Sequence, residues 1–219
     1  MNSQVLFDRK WVRFLRRIWL FRHIPFVDFV LAAGSMALGN VRPESDFDVI
    51  VGARSGRIFT ARFCCWLIFG LFGWRRKKQH GPESKDKICF NHFVTEKSYR
   101  LSPPYNRYWQ DLYFNLVPVF GSSEIINEFF QANADWMGGK KNYQDDLRHH
   151  RRSPSLFKII LERLGRGMTG NWLEKIFKNA QIKRIERGLK TERSYQPRII
   201  YSDAELEFHP DTYRTTLWS

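Results

Sequence analysis

Residues Leu31 to Val51 read LAAGSMALGNVRPESDFDVIV. Small residues at Ala32, Ala33, Gly34 and Ser35 follow a short apolar run, and Asp46 and Asp48 open a second one. Phe26 to Ala32 has the Val and Phe content of a strand, and Phe47 to Val51 alternates into another that stops at Gly52. Between them, Gly34 to Ser45 holds two glycines and a proline and is expected to turn, with room for one short helix. Strand side chains alternate faces, so Asp46 and Asp48 are expected to project together. Paired carboxylates of this kind suit magnesium, which takes oxygen ligands and commonly one or two carboxylates plus substrate phosphates. Gly34 would let the backbone approach a triphosphate, and Ser35 adds a hydroxyl beside it. Ser45 is a turn residue next to the acids and joins Gly34 and Ser35 on the nucleotide side.

At these residues the chain resembles the polymerase-β-like nucleotidyltransferase superfamily. The form G-S-x10-D-x-D, running from Gly34-Ser35 to Asp46-Phe47-Asp48, is similar to its signature. The run Pro43 to Asp48 looks most like the small "minimal" nucleotidyltransferases, and the likeness covers about the first half of the chain. The resemblance implies a Gly-Ser pair on the nucleotide phosphates, Asp46 and Asp48 on Mg2+, and a third carboxylate on a later strand. That strand is expected at Ile88 to Val94 (ICFNHFV), and it departs from the pattern: Asn91 stands where an acid belongs. An amide can ligate or hydrogen-bond, but it cannot take a proton as a carboxylate does. Glu96 is the substitute if the register slips, and His92 faces away from Asn91 if the strand is regular.

Working outward, Arg9 to Arg22 places Trp11, Phe14, Leu15, Ile18 and Phe21 at helical spacing, ended by Pro25. Ile58 to Trp74 is expected to be a buried helix, and Arg75 to Lys87 an exposed loop. A helix from about Asn106 to Leu116 precedes Val117 to Phe120, a short strand or a turn. Glu124 to Gln131 is helical. Tyr105, Tyr108, Trp109 and Tyr113 read as core. After Gly138-Gly139 the chain turns basic and helical. Ser153 and Pro154 start one helix, and Asn171 caps another reaching about Arg187. Pro197 begins a tail carrying Ile199-Ile200-Tyr201, Asp203, Glu205 and Glu207. The expected architecture is α/β (α+β): a small mixed sheet flanked by helices over residues 1–138, with a basic helical region over 139–219.

The 219 residues carry a net charge of +14, with 36 Lys and Arg against 22 Asp and Glu. That balance favours a polyanionic partner such as RNA or a nucleoside triphosphate. His149, His150, Arg151 and Arg152 read as a solvated loop, and Lys183, Arg184 and Arg187 as an exposed helical face. Cys64, Cys65 and Cys89 are odd in number and lack zinc spacing, so a reduced, cytoplasmic setting is expected. Phe63 to Trp74 is very apolar but about a dozen residues long, short of the roughly 20 of a spanning helix. No phosphate loop, nucleophile elbow or His-Glu-x-x-His zinc helix competes. Three functions follow as expectations: Mg2+-dependent transfer of a nucleoside monophosphate to an RNA, protein or small-molecule hydroxyl; a degenerate module that binds nucleotide or RNA without transfer; or a membrane-peripheral protein that uses the Phe63 to Lys78 segment.

Overall fold

The first β-strand, β1 (Val27–Ala32), is buried along almost its whole length, because both of its faces are covered. A computed structural model describes residues 3–77, 82–103, 105–139, 153–189 and 198–209. Before β1 comes α1 (Ser3–Ile18), which buries Trp11, Phe14 and Ile18 at three- and four-residue spacing and tightens into a 3-10 turn over Trp19–His23. After β1 come α2 (Gly34–Leu38), β2 (Phe47–Ala53), α3 (Ile58–Leu71), β3 (Ile88–Val94), α4 (Arg107–Phe114), β4 (Val117–Gly121) and α5 (Ser123–Asn133). The second half adds α6 (Leu156–Leu164), α7 (Met168–Leu189), β5 (Arg198–Tyr201) and β6 (Glu205–His209).

The six strands form one mixed sheet in the order β4-β1-β2-β3-β6-β5. Only β2 and β3 run parallel, with α3 as the crossover between them; every other neighbouring pair is antiparallel. This is the mixed, helix-flanked α/β sheet expected from the sequence. On one face Phe14, Phe21, Phe47, Val49, Val51, Phe69, Phe90 and Phe93 close a core under α1 and α3. On the other, Phe29, Leu31, Ile50, Trp109, Tyr113, Phe129 and Trp136 close a second under α2, α4 and α5, with Tyr105 and Tyr108 packed at its edge.

Four expectations change. Arg75 to Lys87 is not simply an exposed loop: Arg75 bridges to Ile88, and Asp86 is buried against Lys10, Arg13 and Arg17. Asn171 is no cap; it lies inside α7, where its side chain accepts from Arg57 at 2.8 Å. The tail is a hairpin whose β6 pairs with β3, so strands from both sides of Gly138-Gly139 share one sheet. Finally β3 is irregular. Asp48 pairs with Cys89 but Ile50 pairs with His92, so β3 carries one extra residue there. The cluster His149 to Arg152 lies outside the described residues.

Candidate active site

Gly34 opens α2 with φ +56, a left-handed conformation that glycine adopts without strain. A Cβ at this position would stand 2.1 Å from Oδ2 of Asp48, so only the bare backbone fits against that carboxylate. The Ala33 amide donates to the Asp48 carbonyl at 3.0 Å and fixes the turn over the start of β2. Asp46 immediately precedes β2, and Asp48 is its second residue. One oxygen of each lies within 4.8 Å of the other and of the Cys89 sulfur. The two acids thus converge beside Gly34, with Ser35 half-buried on the next position of α2.

The other sequence candidates sit elsewhere. Ser45 uses its hydroxyl to accept from the Arg42 amide at 2.9 Å, while its carbonyl takes Lys10 Nζ at 2.6 Å. It holds the turn before the acids. Cys89, not Asn91, is the β3 residue beside Asp48, because the parallel register matches those two. Asn91 falls in the stretch that carries the extra residue, farther along β3. That irregularity also places His92 on the same face as Asp48, correcting the expectation of a regular strand: His92 pairs with Ile50, which shares the Asp48 face. Glu96 is exposed in a 3-10 turn past the opposite end of β3 and cannot reach the pair.

The charge here is out of balance. Asp46 is bonded to Arg76, whose position no local pattern in the sequence could reveal. Even so, burial and the neighbouring Asp48 push the Asp46 carboxyl up to about 6, against the opposing pull of Arg76. Burial, and then Asp48, raise the Cys89 thiol well above its ordinary range, so it stays protonated next to the acids. Among the described residues one guanidinium, Arg76, is bonded to the pair, and it bonds Asp46 alone, a deficit that a cation would relieve.

A second polar group stands on the same face, across β3. His92 Nε2 lies 2.9 Å from Glu205 Oε1, and His209 Nδ1 lies 2.9 Å from Glu207 Oε1. Glu207 is 0% exposed and is the register partner of His92. Ligand atoms of His92, Glu205 and Glu207 fall within 4.8 Å of one another. Both glutamates belong to the tail after Pro197, where the sequence pattern implies no role for them. Their spacing of two marks one strand face, yet nothing local says that this strand lies against β3.

No family model, curated protein or solved structure matches the chain.

Proposed function

We propose that this chain is a nucleotidyltransferase. It would move a nucleoside monophosphate from a nucleoside triphosphate to an acceptor hydroxyl, with Asp46 and Asp48 as its metal-binding acids. The observation that carries this reading is the seating of the Asp48 carboxylate directly on Gly34, with Asp46 within reach of the same point. Oxygen donors on an under-neutralised pair fit a hard divalent cation, whereas the protonated Cys89 thiol is a poor ligand for one. Asp46 and Asp48 would therefore hold Mg2+, the nucleotide phosphates completing its shell. When bound, the ion would offset charge on the phosphates.

The chain's own residues would do the rest. Gly34 lets the Asp48 carboxylate sit directly on the α2 turn, and Ser35 offers a hydroxyl there. Arg76 holds Asp46 in place. The acceptor oxygen attacks the α-phosphorus, the bond to the β-phosphate oxygen breaks, pyrophosphate leaves, and the acceptor proton passes to water. Positioning and charge compensation are the main sources of rate in such a reaction.

A second reading is a module that binds nucleotide without transfer. Cys89 favours it, because the strand position beside Asp48 offers a thiol in place of a third carboxylate. Triphosphates labelled at the α-phosphate, offered with magnesium to pools of RNA and protein acceptors, separate the two. Label transfer that disappears in Asp48→Ala supports the enzyme. Saturable nucleotide binding with no transfer supports the module, and absence of magnesium-dependent binding sinks both.

A further inference from the structure

Helix α6 is built inside out. Its charged residues Lys158 and Glu162 are buried, and its apolar ones face solvent. Glu162 accepts from the Phe26 amide at 2.8 Å and from Arg54 at 2.9 Å, while Lys158 donates to the Val27 carbonyl. Those bonds fix which side of α6 meets the protein. The outward side carries Leu156 at 78% exposure, Leu164 at 69%, and half-exposed Phe157 and Ile160. Past the Gly165-Arg166-Gly167 turn, α7 continues the pattern with Met168 at 88% and Trp172 at 64%. Leu156, Ile160 and Leu164 recur every fourth residue, as do Met168, Trp172 and Ile176, so each set lies along one helical stripe. Soluble surfaces scatter their apolar residues singly; two joined stripes mark a contact face.

The charge around the stripes selects the occupant. Arg163, Arg166, Lys175, Lys183, Arg184 and Arg187 are exposed on α6 and α7 or the turn between them. Of the three acids in these helices, Glu162 is bonded inward and Glu174 caps the start of α3 through the Phe59 and Thr60 amides, which leaves Glu186 alone in solvent. Arg57 and Arg166 line a hollow at the α6–α7 turn together with Arg54 and Glu162, and the one acid there is already bonded to Arg54 and the Phe26 amide. We propose that the outer face of α6 and the first turns of α7 lie on an anionic lipid surface, the apolar stripes entering the acyl boundary and the arginines meeting phosphate headgroups. A nucleic acid would satisfy the arginines but not the leucines. A second copy would satisfy the leucines but set +14 against +14. At nine residues α6 lies on such a surface and does not cross it. This inference is independent of the nucleotide site.

Vesicle flotation of the full chain tests it. Vesicles of phosphatidylcholine doped with phosphatidylserine should carry the protein up, and phosphatidylcholine alone should carry far less. Ile160→Asn with Leu164→Asn should weaken binding about tenfold or more. Trp172→Ala, on the other helix, should weaken it by several-fold, which keeps the test open if the double variant misfolds by circular dichroism. Tryptophan emission should shift to the blue on vesicles that bind, and the shift should shrink in Trp172→Ala. Three results would overturn the proposal: no flotation on anionic vesicles, flotation indifferent to both sets of variants, or a dimer in solution that those variants dissociate.

Discussion

Two buried charge groups in this protein make an instructive pair. Under α6, two acids meet two bases: Arg54 binds Asp28 at 2.7 Å and Glu162 at 2.9 Å, and Lys158 lies 3.7 Å from Glu162. At the head of β2, Asp46 and Asp48 lie together and, among the described residues, a single base, Arg76, pairs with Asp46. The balanced group also bonds two backbone groups of the Phe26–Val27 turn, where Phe26 adopts φ +62. It is complete, and its role is to clamp α6 onto the sheet. The unbalanced group keeps one carboxyl at about 6 and sits on bare glycine backbone. Buried charge that is matched holds a structure together; buried charge left in deficit points to a ligand.

The largest test of that contrast is Asp48→Ala. It should lower nucleotidyl transfer about a thousandfold, as loss of a principal charge-stabilising group does, while urea denaturation shows the metal-free fold unweakened. Breaking the balanced group should do the reverse. Glu162→Gln leaves Lys158 without its acid and Arg54 with Asp28 alone, and should cost about 2–4 kcal/mol of stability in the same denaturation assay, with the Asp46 site untouched.

A pH titration compares the two groups directly. The folded Asp46 carboxyl titrates near 6 against an ordinary value of 3.8, so the folded state holds its proton over that window while the unfolded chain has lost its own. Metal-free stability attributable to this group should therefore fall as pH rises from about 4 to about 6, by up to about 3 kcal/mol, and level off above. Magnesium should raise the melting temperature near pH 8 and have little effect near pH 5, where Asp46 is protonated. Smaller again, Gly34→Ala should cost about 1–2 kcal/mol from its left-handed backbone alone and should also abolish the magnesium response. Cys89→Ser, at the bottom of the scale, should move stability by about 1 kcal/mol or less.

The sequence carried this site unevenly. Gly34, Asp46 and Asp48 were legible because a turn and one strand set all three, and those elements have strong local signals. The bounds of β3 were legible too, from its apolar run. Which of its residues stands beside Asp48 was not, because an extra residue in a strand shows only against a partner strand. Arg76, Glu205 and Glu207 were out of reach for a related reason: each meets β2 or β3 from a distant stretch of chain. For α6 the repeat of apolar residues is plain in the sequence, but periodicity gives a face and not its direction. Only the bonds of Lys158 and Glu162 show that this face turns outward.

The pairing of β3 with β6 has a consequence for how the protein is made. Residues 92 and 207 are register partners, so one flank of β3 has no neighbour until the hairpin after α7 has left the ribosome. Up to then a nascent chain offers an open, apolar strand to any passing β-segment, and closing that long loop is slow. Expression from transcripts truncated after α7 should yield aggregate, and the short final hairpin acts as the latch that ends that exposure.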